Sequence, residues 1–389
     1  MLLYISGSYP ASHEGIAAAA KILLDAMAKS AGEHKIELLT TNLPVIRNYV
    51  EANGTACAAV TYLDNWNITV KNIKTYISML KKDGIKAVHM EYPGDCYGKT
   101  LLASFLPLIT KLYGIGKPKI AFYVRLHEFT CARFLRKAAI LPILLFADSI
   151  YVPALPDRRA VKKIAGKRVK RTLIGNNIPV CTAKTTEREN GTIVISYFGS
   201  VYPGKGIERM LKNWKELKER DKEGRFRFKI IGEVDPGNKN HFSEYHNQVI
   251  TWLKQYRLWD SVKITGYIPD EEVSREIQNT HVATLFYEDG LTLRRGSFLA
   301  YLAHGIPIVT SPGDEEAKEL LKGHKGVFMA GGEEEWIAGI LSFAAMDQSE
   351  LAEIREDNRK VAGYFDWNKI ADAFLRDYGL LSETKVEQT

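Results

Sequence analysis

Short apolar runs alternate with amphipathic stretches along nearly the whole chain. LLYIS (2–6) reads as a buried strand. The alanine-rich segment 15–29 follows it and is a strong helix former. The alternation continues with strands at KIELLTTN (35–42), KAVHMEYP (86–93), KIAFYVRLHEF (119–129), DSIYVP (148–153) and RTLIGNN (171–177). Helices are expected at 68–82, 101–113 and 133–146. Residues 178–191 are polar and strand-free, which marks a linker. The pattern then restarts with strands at 192–200, 226–234 and 262–268 and helices at 206–220, 244–256 and 270–279. A final amphipathic helix is expected at 367–381. Strands that alternate with helices imply parallel, doubly wound α/β sheets, here in two successive copies.

The second copy centres on TLFYEDGLTLRRGSFLAYLAHGIPIVTS (284–311). An apolar run ends in Glu288, Asp289 and Gly290, followed by Leu291, Thr292, Arg294 and Arg295. Phe298, Leu299 and Leu302 then fall at helical spacing, and Gly305 and Pro307 stop the helix before a second apolar run. In such a unit the first turn lies at the carboxyl end of a strand, where parallel sheets bind ligands. Helix N-termini attract anions, and arginines add forked donors suited to phosphate. The stretch is therefore a candidate phosphate site.

At 389 residues, two domains of comparable size are expected. The apolar and charged fractions, 46% and 25%, are those of a globular protein in water. Four scattered cysteines without a CxxC pair argue against zinc or a disulfide framework and fit a reducing compartment. The first residues, MLLYISGSYP, enter a strand at once, so no signal peptide is expected. The longest apolar run, 138–147, is too short to span a bilayer. A cytoplasmic location follows as the expectation.

GSVYPGKG (199–206) lies between a strand and a helix and fits the spacing of a P-loop. Gly206, however, stands where the loop needs a hydroxyl for Mg²⁺. GDCYGKT (94–100) has one residue too few. Lys205, on a glycine-rich turn, nevertheless suits a diphosphate. In RLHEF, His127 and Glu128 sit at a strand end, where a histidine can donate to a sugar hydroxyl or a phosphate, or transfer a proton. As a lone residue it fits a structural histidine equally well. His13 and Glu14 beside Gly15 repeat the arrangement with weaker claims. The other histidines show no metal-ligand spacing and read as structural. The run 158–171 holds eight basic residues in fourteen. It reads first as a solvated face. Next to apolar LRKAAILPILLFA it could also rest on anionic headgroups, at about 1 kcal/mol per well-placed base. Nucleic-acid binding is disfavoured because aromatic interleaving is missing. No GxSxG elbow and no GxGxxG after the first strand occur.

The second half resembles retaining, sugar-nucleotide-dependent glycosyltransferases of the GT-B fold, specifically glycosyltransferase family 4. YFGSVYPGKGIERML is similar to that family's GR-x-x-x-x-KG signature, and LAYLAHGIPIVTS to its LEAMA-x-G-x-PVV segment. IIGEV and ITGYIPDEEV resemble the strands between them. In the first half, SGSYPASHEG, HMEYPGDCYGK, RLHEF and IGNNIP resemble successive strand-end loops of a cell-surface polysaccharide branch of the family.

The resemblance implies two Rossmann-like domains facing a cleft, at 1–180 (acceptor) and 191–365 (nucleotide sugar). A C-terminal helix and tail at 366–389 would pack back on the first. It assigns Gly199 and Lys205 to the donor diphosphate, and Glu233, Gly266 and Tyr267 to the nucleoside pocket. His127 would sit near the transferred sugar, and Glu288 would be the first carboxylate of a Glu-x7-Glu motif. Gly290, Leu291, Thr292, Arg294 and Arg295 would complete the donor side; His13, Gly15 and Glu128 would lie on the acceptor side. Ser200 replaces the signature arginine, Ala300 replaces the second glutamate, and the segment between Glu288 and Ala300 is longer than in the family. Arg294 or Arg295 could supply the missing charge. The expected activity is transfer of a hexose-like sugar to a glycan or lipid-linked acceptor, with retention, no metal and no cofactor. The inner face of the membrane is a further expected location. A non-catalytic nucleotide-sugar-binding subunit and a GT-B sugar-nucleotide epimerase are the alternatives.

Overall fold

The computed structural model describes residues 1–9, 15–181, 191–235 and 242–382. The chain divides into two compact units, residues 1–175 with 366–389, and residues 176–365. The expected linker at 178–191 lies largely outside the described residues.

The first unit is built on a parallel sheet of seven strands: β1 Leu2–Ser6, β2 Ile36–Thr41, β3 Ala59–Leu63, β4 Ala87–Tyr92, β5 Ala121–Leu126, β6 Ser149–Val152 and β7 Val169–Arg171. Their order is β3-β2-β1-β4-β5-β6-β7, so the winding direction reverses between β1 and β4. Alternate strand residues feed two cores. Leu3, Ile5, Val88, Met90, Phe122 and Val124 pack against α3 Val70–Leu80, α4 Leu102–Tyr113, α5 Phe134–Phe146 and α6 Leu155–Ala165. Leu2, Tyr4, Leu38 and Ala87 face α1 Gly15–Ser30. Covering both faces explains why these strands read as continuous apolar runs.

Three corrections concern this unit. The last strand is Val169–Arg171, not 171–177, because only Val169, Lys170 and Arg171 pair with β6. The basic run 158–171 is therefore the end of α6, a turn and this edge strand. Helix α2, Pro44–Asn53, and strand β3 add a further strand-and-helix pair that the pattern did not reveal. β3 is an edge strand with mostly half-buried residues, so its polarity does not alternate cleanly.

The second unit repeats the plan with six parallel strands: β8 Ile193–Phe198, β9 Phe226–Ile231, β10 Val262–Ile264, β11 Val282–Leu285, β12 Ile308–Thr310 and β13 Val327–Met329. The order β10-β9-β8-β11-β12-β13 reverses between β8 and β11. Helices α7 Ile207–Arg220, α8 Ser243–Gln255, α9 Asp270–Gln278 and α10 Gly296–His304 follow β8, β9, β10 and β11. Helix α10 is sunk into the core, with Phe298, Leu299, Ala300, Tyr301 and Leu302 all buried. It ends at Gly305, in the left-handed region at φ 74°, where a Cβ would stand 2.9 Å from the Arg355 carbonyl. Glycine is the residue that tolerates this C-cap. Helices α11 Glu315–Leu320, α12 Glu333–Ala345 and α13 Gln348–Ala362 complete the unit.

The chain then returns to the first unit. Helix α14, Trp367–Asp377, is capped by Asp366, whose carboxylate accepts from the Asn368 and Lys369 amides at 2.8 and 3.1 Å. Its apolar face packs beside α1 and supplies Trp367, Ile370, Ala371, Phe374 and Leu375 to the core. Phe374→Ala should cost about 3–5 kcal/mol in urea denaturation, because the ring is buried and cannot be replaced by collapse around it. The control Leu135→Ser, at a position 81% exposed, should stay within about 0.5 kcal/mol. Equal costs would show that α14 does not hold this core together.

Candidate functional site

Both reversals of strand order create crevices at carboxyl strand ends, the usual ligand positions of open α/β sheets. In the second unit the loops after β8 and β11 meet at such a point. The backbone amide of Glu288 donates to the Gly204 carbonyl at 3.2 Å and ties them together. Gly206 caps α7 in the left-handed region, at φ 62°, and a Cβ there would lie 2.0 Å from the Phe286 carbonyl. No side chain can stand at that position, and no side chain of the described residues caps the first amides of α7.

Lys205 projects from the same turn. Its Nζ lies 4.9 Å from the Tyr202 ring centre and 5.4 Å from that of Tyr287. The Arg295 guanidinium stacks on the Tyr287 ring at 4.6 Å and forms an ion pair with Asp289. Tyr287 is held in turn: its amide donates to Ser311 Oγ at 3.0 Å, and its hydroxyl meets Ser297 Oγ at 2.7 Å. Burial, reinforced by the charge of Arg295, pushes Lys205 down to about 8. Two cations crowded beside a helix N-terminus are costly without an anion. The buried Arg295 Nε and Thr292 Oγ1 also have no hydrogen-bond partner among the described residues.

The structure thus gathers Gly199, Lys205, Gly290, Thr292 and Arg295 around one switch point. Arg294 is half-buried and adds to the field that lowers Lys205. Glu288 is exposed; its charge, after burial, helps push the phenol of Tyr245 on α8 up to about 12. Leu291 is buried, and both its backbone groups are committed, to the Pro312 carbonyl at 3.0 Å and the Asp314 amide at 2.9 Å. Glu233 follows β9, and Gly266 and Tyr267 follow β10, with Tyr267 62% exposed. Ala300 lies in the core of α10, where its carbonyl accepts from His304 Nδ1 at 2.7 Å. Sequence reading missed Tyr202, Tyr287 and Ser297, because aromatic residues next to a strand end look like ordinary core.

In the first unit, His127 follows β5 and reaches the switch point between β1 and β4. Its Nε2 lies 2.5 Å from Oε2 of Glu91, the next-to-last residue of β4. Glu91 is fully buried and also takes His89 at 2.9 Å, the Tyr4 hydroxyl at 3.3 Å and Arg125 at 3.4 Å. Burial pushes this carboxyl up, but Arg125 and the two histidines outweigh it and hold it well below the usual carboxylate range. Neither Glu91 nor Arg125 had been singled out, although a charge inside KAVHMEYP was the available signal. His89, read as structural, is a buried member of this network. Glu128 is exposed beside His127, and Gly15 opens α1. His13 lies outside the described residues. Among the described residues, no group of three His, Cys, Asp or Glu could hold a metal ion.

Residues 192–345 match the family model described as Glycosyl transferases group 1. No curated protein matches the chain significantly. Among solved structures, a sucrose-phosphate synthase from Thermosynechococcus elongatus is 16% identical, with a TM-score of 0.68, over 97% of this chain and 98% of its own. A glycosyltransferase from Rickettsia africae is 15% identical, with a TM-score of 0.71, over 98% and 99%. HepE from Anabaena, solved in complex with UDP, is 13% identical, with a TM-score of 0.71, over 98% and 100%. At these identities the likeness is one of fold. The architecture is GT-B, with two Rossmann-like domains.

A bound anion would restore the Lys205 proton, so binding at this site is linked to proton uptake. With UDP as the probe, affinity should be flat between about pH 7, above the second ionisation of its terminal phosphate near 6, and the Lys205 value of about 8, and should fall as pH rises through it. The fall should approach tenfold per pH unit at most, since one pKa unit corresponds to about 1.4 kcal/mol. Calorimetric titrations in the wild type and in Lys205→Arg check this: the variant should lose the dependence. A wild-type affinity that is constant across this range would remove Lys205 from the anion site.

Proposed function

We propose that the protein is a glycosyltransferase that moves a hexose-like sugar from a nucleotide donor to a glycan or lipid-linked acceptor. The observation that carries this is the cation pair Lys205 and Arg295 beside the open N-terminus of α7. It lies at the switch point of the unit that matches Glycosyl transferases group 1. A sugar transferred from a nucleotide leaves a diphosphate, and charge grows on that leaving group in the transition state. Fixed donors in a dry loop stabilise such charge without reorganising. HepE from Anabaena has been solved with UDP and with UDP-glucose, which supports a nucleotide-sugar donor for a chain of the same fold.

In this reading Arg295 takes over from the arginine that Ser200 replaces. It lies against the same tyrosine as Lys205, and its Nε has no partner among the described residues. Glu288, with the Gly290 turn behind it, would address the donor sugar, and Glu233, Gly266 and Tyr267 the nucleoside. Membership of family 4, retention of configuration, action without a metal and a place in cell-surface polysaccharide synthesis belong to the same proposal, by analogy with the family. Gly15 and Glu128 would serve the acceptor side, and His127 would sit near the transferred sugar. Of the basic run, Arg168 is spent on the carbonyls of Leu144 and Ala147, at 2.6 and 2.7 Å. Lys162, Lys163 and Lys167 stay exposed beside Ile164 and remain suited to an anionic lipid surface. No helix among the described residues is long and apolar enough to cross a membrane.

One observation favours a second reading, a nucleotide-sugar-binding subunit without turnover. Ala300 offers no carboxylate where the family motif has one, and it is fully buried.

Slow hydrolysis of a panel of nucleotide sugars separates the two readings: release of free sugar supports the enzyme, and tight binding without release supports the subunit. Arg295→Ala should weaken UDP binding about 10- to 100-fold, the value of a charge-assisted hydrogen bond. Arg294→Ala should do less. If Arg295→Ala leaves the affinity unchanged, its role as the replacement cation fails.

A further inference from the structure

The hydrogen bonds around Glu91 fix more than the position of His127. The carboxylate is fully buried and pairs across the sheet with fully buried Arg125, its register partner on β5. At Oε1 it takes the Tyr4 hydroxyl from β1, Arg125 Nη1 from β5 and His89 Nε2 from its own strand. At Oε2, among the described residues, it takes only His127 Nε2. A carboxylate held ionised by a guanidinium has no proton to give, so each histidine nitrogen that faces it must carry one. For His89 the rest of the ring agrees: its Nδ1 meets the Tyr378 hydroxyl at 2.5 Å, and a phenol in apolar surroundings is the donor there. Trp367 and Phe374 of α14 cover Arg125 at 5.3 and 5.9 Å, and Arg125 Nη2 donates to the Leu173 carbonyl at 2.9 Å. The anion and its cation are therefore locked from β1, β4, β5 and α14 together.

Among the described residues, His127 is the histidine of this cluster whose second ring nitrogen has no partner. Its Nδ1 bonds to none of the described residues. We propose that Glu91 is a positioning residue: it holds His127 in the Nε2-protonated tautomer, so that the neutral ring meets a ligand through the Nδ1 lone pair. That nitrogen accepts a hydrogen bond from a hydroxyl and repels a phosphate oxygen. Of the two partners open to His127, a sugar hydroxyl and a phosphate, the geometry selects the hydroxyl. The inference rests on the transferase reading for the identity of that hydroxyl, but not for the tautomer.

Nitrogen-15 NMR of the imidazoles in the full-length wild-type chain, assigned with His127→Gln, tests it directly. At a pH where the ring is neutral, the pyridine-like nitrogen of His127 should be Nδ1; a pyridine-like Nε2 overturns the proposal, whatever the protein catalyses. In Glu91→Gln, which keeps the shape and removes the charge, the ring should become a mixture of tautomers. Sugar release or transfer should then fall about 10- to 100-fold, while UDP affinity stays as in the wild type. An unchanged tautomer and rate in a folded Glu91→Gln also overturn it. Should the chain bind nucleotide sugars without turnover, the wild-type spectrum still decides the tautomer, and only the transferase reading falls.

Discussion

A fully buried ion pair, Glu91 with Arg125, constrains the first unit more than any other contact. Charges taken out of water are tolerated only when each is paired and its remaining hydrogen-bonding capacity is used. Glu91 meets that condition with donors from Tyr4, His89, Arg125 and His127. Arg125 meets it in part: Nη1 donates to Glu91, Nη2 to a backbone carbonyl, and the rings of Trp367 and Phe374 lie over the guanidinium, while its buried Nε has no partner among the described residues. The pair thereby ties three strands, the chain just after β7 and the last helix to one point. Replacing either charge alone would strand the other in a low dielectric, so the surrounding side chains are fixed as a set.

The second unit solves the opposite problem. There the cations Lys205 and Arg295 are crowded together with one exposed carboxylate, Asp289, as their ionic partner. The first unit pairs its buried charges internally, Glu91 with Arg125. The second keeps an electrostatic debt that an anion can settle. Both arrangements occupy the same topological place, the carboxyl ends of the strands where the winding reverses. Parallel strands there end in diverging loops, which leaves room that the packed layers elsewhere do not have.

Much of this was legible in the residues. Apolar runs separated by amphipathic stretches gave the parallel sheets, because a strand buried on both faces leaves an unbroken apolar signature. Lys205 in GSVYPGKG and Arg295 after YEDG were visible as anion-seeking groups at strand-to-helix turns. The edge strand Ala59–Leu63 was hidden because half-buried positions tolerate mixed polarity. The strand at Val169–Arg171 was hidden inside a basic run for the same reason. Glu91 was visible only as a charge inside the apolar run KAVHMEYP, which marks a buried polar site but not what lies across the sheet from it.

The sequence by itself determined most of the elements, their alternation into two wound sheets, and the glycine-rich and basic turns at the strand ends. Those properties depend on neighbours a few residues apart, so they can be read along the chain. Pairing across a sheet joins residues that are distant in sequence. Glu91 meets Arg125 and His127 only through the β4–β5 register, and Tyr378 reaches His89 from the far end of the chain. Lys205 and Arg295 come together only because β8 and β11 are adjacent at the reversal. The tertiary structure alone decided that Lys205 and Arg295 share one tyrosine, and that His127 Nε2 faces Glu91.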